Sequence, residues 1–124
     1  MKKITAHVCL LTLSLLFMGF ASMAQTTAPE KPEMKTYVIE RNIPGAGQFT
    51  AEKLKDISKT SCSVLKDMGP GIQWMQSYVT DNKIFCVYKA ENIELLKEHA
   101  KKGGFPITNI YEVSNVISPA TAAN

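Results

Sequence analysis

The stretch from Ile72 to Tyr88, IQWMQSYVTDNKIFCVY, restricts the fold more than any other part of the chain. It alternates on both sides of Asp81-Asn82, a pair that tolerates the positive φ of a tight two-residue hairpin. A turn there pairs Thr80 with Lys83, Tyr78 with Phe85, Gln76 with Val87 and Trp74 with Lys89. One face of the hairpin then carries Trp74, Gln76, Tyr78, Phe85, Val87 and Lys89. The other carries Met75, Ser77, Val79, Ile84, Cys86 and Tyr88. Both faces are too apolar for open water, so each needs a cover.

The flanking segments supply one cover. Lys35 to Ile43 alternates as a strand, with Tyr37, Ile39 and Ile43 toward the core and Val38, Glu40 and Asn42 opposite. Pro44-Gly45-Ala46-Gly47 stops it. Thr50 suits a helix N-cap, and Leu54, Ile57, Ser61, Val64, Leu65 and Met68 form one stripe ending at Gly69. After the hairpin, Asn92 opens a second helix with Ile93, Leu96 and Ala100 on its stripe, His99 beside it, and Gly103-Gly104 and Pro106 closing it. A last strand is expected from about Thr108 to Ile117.

This order is βαββαβ, an α+β, ferredoxin-like arrangement. Its four-stranded antiparallel sheet has spatial order 4-1-3-2 and two helices on one face. The helices are expected over Met75, Val79, Ile84 and Cys86. The opposite face is left with Trp74, Gln76, Tyr78 and Phe85, a surface suited to a homodimer partner or a pocket.

The first 24 residues stand apart. Lys2 and Lys3, an apolar run from Val8 to Phe20, and small residues at Ser22 and Ala24 form an export signal cleaved before Gln25. The run is too short to span a bilayer, so no stable membrane insertion is expected after cleavage, and the product is placed in the periplasm or outside the cell. Residues 25–34 read as a flexible tether, 35–118 as the domain and 119–124 as a loose tail. Without Lys2 and Lys3 the chain has 12 basic and 11 acidic residues, with no basic block, which argues against nucleic acid as a partner. Cys62 and Cys86 survive maturation in an oxidising compartment, where a disulfide between them is possible. Helix and strand positions seldom meet the spacing a bridge requires, so two separate buried thiols are the favoured state.

Several motifs are dense enough to point to a family. Tyr37-Val38-Ile39-Glu40-Arg41, Ile43-Pro44-Gly45-Ala46-Gly47, Ser61-Cys62, Ile72-Gln73-Trp74, Ser77-Tyr78-Val79-Thr80-Asp81, Cys86-Val87-Tyr88, Glu98-His99-Ala100 and Gly103-Gly104-Phe105-Pro106 resemble a small bacterial family, once catalogued as a domain of unknown function. Its characterised member is a dimeric, ferredoxin-like nickel-binding protein. The resemblance implies nickel, or another divalent transition metal, bound by a homodimer. An export signal and a tether set this chain apart from relatives that are bare domains.

His99 is the single histidine left after processing, and imidazole and thiolate donors suit a borderline metal. Candidate ligands are His99 with Glu98 beside it, and Glu40 and Cys86 from the sheet; a dimer would double each. No CxxC or HxxxH spacing is present, and a structural role for His99 at the helix end is the plainer alternative. Glu40 on a central strand needs a partner, with Lys89 favoured over Arg41 because Lys89 shares its face. No nucleophile–histidine–acid spacing or phosphate loop supports an enzyme. Two further readings stand: a small-molecule-binding or enzymatic dimer of the α/β-barrel type with an aromatic pocket, and a ligand-free interaction module.

Overall fold

The alternation along Lys35–Asn42 (β1), Ile72–Val79 (β2), Lys83–Ala90 (β3) and Asn109–Glu112 (β4) builds a four-stranded antiparallel sheet in the order β2-β3-β1-β4. The structure is a computed structural model and describes residues 28–123. The expected signal peptide and the first residues of the tether lie outside the described residues. Among the described residues no helix is long and apolar enough to cross a membrane.

The helices Ala51–Met68 (α1) and Ile93–Gly103 (α2) join these strands in the expected βαββαβ order. Each begins on the predicted cap. Thr50 Oγ1 accepts from the Lys53 amide at 3.1 Å, and Asn92 Oδ1 from the Leu95 amide at 3.1 Å. Each such cap contributes about 1 kcal/mol by satisfying a donor the helix leaves unpaired. Gly104 closes α2 at φ 69°, a left-handed conformation that its missing Cβ permits.

Both helices cover one sheet face. Tyr37 and Ile39 of β1, Ile72 of β2 and Ile84, Cys86, Tyr88 and Ala90 of β3 form the core with Leu96 of α2. Ile39 and Leu96 are fully buried, and truncating either to alanine is expected to cost roughly 2–5 kcal/mol.

The hairpin departs from expectation in two places. No described residue other than glycine has positive φ, so Asp81 and Asn82 do not form a left-handed turn. Other bonds hold the connection instead. Thr80 Oγ1 donates to the Lys83 carbonyl at 2.9 Å and accepts from the Lys83 amide at 3.1 Å. The turn also docks on the loop after β1, where the Ile43 and Gly47 amides donate to the carbonyls of Asn82 and Asp81 at 2.9 and 3.1 Å. A Cβ on Gly47 would stand 2.9 Å from the Asp81 Cα, so only glycine allows the two loops to approach this closely.

The second departure is a β-bulge between Trp74 and Gln76. The predicted register holds for Gln76 with Val87 and Tyr78 with Phe85, but Trp74 pairs with Tyr88 and not with Lys89. One extra residue, Met75, reverses the alternation. Trp74 therefore turns to the helix-covered face, where its Nε1 donates to Ser77 Oγ at 2.9 Å.

The last strand is also shorter than expected. The Val113 amide still reaches the Thr36 carbonyl at 2.8 Å, but β1 begins at Lys35, and Val116 and Ile117 have no strand to pair with. Residues Pro119–Ala123 close the described chain as a short 3-10 turn.

Candidate functional site

The sheet separates two groups of chemically distinctive side chains. On β1, Glu40 and Arg41 are neighbours, so alternation sends one to each face. Glu40 points to the uncovered face and Arg41 to the face beneath the helices, following the parity of Tyr37 and Ile39. Arg41 was therefore never in position to partner Glu40.

On the uncovered face Glu40 is only 8% exposed, although no helix lies over it. Its partner is Lys83, not Lys89: Lys83 Nζ lies 2.5 Å from Oε1, while Lys89 stands opposite Thr36, farther along the sheet. Asn109 Nδ2 and the Tyr111 hydroxyl donate to Oε2 at 3.0 and 3.1 Å. The hydrogen bonds from Lys83, then Asn109, then Tyr111 hold the carboxyl down at about 2 against the opposing effect of burial. In return Glu40 pushes the Tyr111 phenol up. Around this anion stand the half-buried Val38, Phe85 and Val87 and the exposed Tyr78 and Tyr111, at 57% and 51%. Gln76 Nε2 hydrogen-bonds the Tyr78 hydroxyl.

Beneath the helices lies a second, interior group. Arg41 is 3% exposed; its Nε donates to Cys86 Sγ at 3.3 Å and its Nη1 to the Pro106 carbonyl at 2.6 Å, while Nη2 has no partner. Phe105 lies 5.5 Å from the guanidinium and stacks on His99, and Tyr88 contacts the same imidazole. A Cβ on Gly103 would stand 2.2 Å from the Phe105 ring, so this glycine makes room for the aromatic cover.

His99 belongs to the buried stripe of α2 with Leu96 and Ala100, and is fully buried. Its Nε2 lies 3.2 Å from Ser61 Oγ, and its Nδ1 has no partner. Placing the proton on Nε2 leaves an unpaired lone pair on Nδ1, whereas the other tautomer leaves an unpaired N–H. Buried orphan N–H groups are the rarer of the two, which assigns Nε2–H as donor to Ser61. Burial first, then the Arg41 charge, push the imidazole down to about 4, with Ser61 opposing. His99 is neutral at physiological pH. Burial also pushes the Tyr88 phenol up, with Cys86 acting in the same sense and Arg41 and Ser61 against it.

The four candidate ligands are dispersed. Glu40 lies on the uncovered face; His99 and Cys86 lie inside, with Arg41 on the thiol. Glu98 is on the outer surface of α2, paired with Lys102 at 2.6 Å. No group of three or more histidine, cysteine, aspartate or glutamate residues suited to a metal occurs among the described residues. Of the aromatic set, Gln76, Tyr78 and Phe85 share the uncovered face, and Trp74 has been moved off it by the bulge. Cys62 and Cys86 are both free, the first exposed and the second buried.

Sequence reading missed Arg41 and Ser61 as partners in an interior polar group. The signal was the parity of Arg41 with Tyr37 and Ile39, and the place of Ser61 at the centre of an apolar stripe. Many of the motif residues that carry the family resemblance, among them Arg41, Ser61, Trp74, Cys86, Tyr88 and Phe105, line one cavity of about 770 Å³ between α1 and the sheet.

Comparison with known proteins agrees with the architecture. The family model described as nickel responsive protein SCO4226-like matches residues 37–113. The crystal structure of SCO4226 from Streptomyces coelicolor A3(2) superposes with a TM-score of 0.57 at 16% identity, covering 66% of this chain and 99% of that one. At that identity the likeness speaks for the fold. No curated protein matches the sequence.

Proposed function

The chain belongs to the SCO4226-like family of nickel responsive proteins, and from that premise we propose that it is an exported, homodimeric, divalent-metal-binding protein with nickel as its metal. The family match over residues 37–113 supports the link to nickel, the N-terminal sequence pattern supports export, and the uncovered sheet face supports the dimer. The geometry narrows it. Among the described residues no ligand set is gathered within one copy, and a site shared by two copies would double each donor. A second copy against the uncovered face would cover Val38, Tyr78, Phe85 and Tyr111 and bring two Glu40 carboxylates onto a shared surface.

Glu40 fits such a role in charge, since it stays ionised far below neutral pH. Its oxygens suit a divalent cation, with the Tyr111 and Asn109 oxygens as flanking donors. Lys83 opposes it, because an ammonium already sits on Oε1. His99 and Cys86 face the interior and fit a metal shared between copies less well. Glu98 lies on the surface and is already paired with Lys102.

Titration calorimetry of residues 25–124 with Ni²⁺, alongside light scattering, tests the proposal. The expected result is saturable binding by a dimer, lost in Glu40→Gln and strengthened in Lys83→Met, which removes the competing cation. A monomeric protein, or binding indifferent to both substitutions, refutes this assignment of the site. Export is tested separately: the mass of the product made from the full chain should correspond to a start at Gln25.

A further inference from the structure

We propose that the cavity between α1 and the sheet is a binding site for a small organic acid, its carboxylate held by Arg41 and its apolar body lodged beneath α1. The charge is the first reason. Arg41 is almost fully buried, and no carboxylate among the described residues forms an ion pair with it. Its neighbours are a thiol, a carbonyl oxygen, the Tyr88 phenol and an aromatic face, all neutral, and Nη2 has no hydrogen-bond partner. A buried guanidinium left with neutral partners is costly, and a bound carboxylate would supply both the missing charge and the missing acceptor.

The space is the second reason. A cavity of about 770 Å³ lies within the range that holds a small ligand. Its walls include Phe49, Leu54, Ile57 and Trp74, which explains why Leu54 and Ile57 sit on the inner stripe of α1 yet remain only half-buried. They line this half-open pocket. Of the charged lining residues, Lys53 and Asp56 are exposed on α1, Asp56 pairing with Lys59 at 3.7 Å, and Arg41 alone is buried.

The hydroxyls are the third reason. With His99 Nε2–H donating to Ser61 Oγ, the Ser61 hydroxyl is turned toward Tyr88, and both hydroxyls line the cavity with Arg41. His99 does not line it and acts as a positioning residue behind Ser61. The combination of one fixed cation, hydroxyl donors and aromatic walls selects a monocarboxylate with an aromatic or alkyl body over an inorganic anion, which would leave the apolar walls empty.

Fluorescence of Trp74, the single tryptophan of the chain, reports directly from the cavity wall. Residues 25–124 would be titrated with phenylacetate and octanoate, with their neutral amides, and with inorganic phosphate, all in the presence of a chelator. The chelator separates this result from nickel binding, so either reading can fail alone. The expected result is saturable binding of the acids, weakened at least ~tenfold for the amides and in Arg41→Gln. Because Arg41→Gln risks misfolding, Ile57→Phe provides a second route by filling the cavity, leaving Arg41 intact and keeping Trp74 the single tryptophan; it should weaken binding while the far-ultraviolet spectrum stays native. Equal binding of acid and amide, phosphate binding as tight as phenylacetate, or acid binding unchanged in Ile57→Phe overturns the proposal. So does a thiolate absorbance at neutral pH that disappears in Cys86→Ser, since Arg41 would then already have its anion.

Discussion

Burial of His99 couples the stability of this protein to pH in a window no other described side chain occupies. The folded imidazole takes a proton only near pH 4, against 6.5 for the free group, because burial and the Arg41 charge oppose a second positive charge. The sign follows from which state binds the proton first. Above 6.5 both states are neutral and the interactions of His99 contribute in full. As pH falls below 6.5 the unfolded chain is protonated and the folded one is not, so stability is lost until the folded imidazole titrates near 4. Between about pH 7 and about pH 5 the loss amounts to roughly 2 kcal/mol, at about 1.4 kcal/mol per unit beyond 6.5. Few other groups interfere. His99 is the sole histidine after Ala24, and the Glu40 carboxyl contributes only below its ordinary value of 4.5. Urea denaturation of residues 25–124 at the two pH values, in the native protein and in His99→Gln, reads the effect as a difference of differences. The native protein should lose about 2 kcal/mol on acidification and the variant should lose far less, whatever the variant costs at neutral pH. An equal loss in both proteins, or none in the native one, would refute the placement of a neutral imidazole between Ser61, Tyr88 and Phe105.

Three further outcomes are expected. Gly47→Ala should destabilise the fold by about 1–3 kcal/mol, because the added methyl meets the Asp81 backbone and the two loops must part; an unchanged denaturation midpoint would show that the contact yields freely. Glu40→Gln should flatten the acid limb below pH 4.5, since a carboxyl held down at about 2 stabilises the fold above 4.5 and loses that contribution as pH falls toward 2; acid titration followed by circular dichroism would detect a limb left as steep as before. With a thiol reagent, residues 25–124 should show Cys62 reacting at once and Cys86 only on unfolding; two unreactive cysteines in the native state would instead indicate the bridge.

Local periodicity determined much of this protein. The strand and helix stripes, the Thr50 and Asn92 caps and the glycine stops are short-range features, and they settle the βαββαβ order and the covered face. The polarity of Glu40 was legible for the same reason, because alternation alone places it opposite Tyr37 and Ile39. Local reasoning ended where one residue changes a phase or where two distant elements meet. The bulge at Met75 has no sequence signature of its own, yet it carries Trp74 from the uncovered face to the wall of the cavity. Lys83 and Lys89 have the same parity, and only the strand register brings the first to Glu40. Ser61 and His99 lie 38 positions apart on different helices, and Arg41 and Pro106 are farther apart still. Which side of the sheet the helices cover could be read from the chain, but not that Trp74 lies on it and Met75 is exposed. That they cover an unpaired cation beside an empty volume was decided by packing, because a cavity is the space left between elements and is encoded in none of them singly.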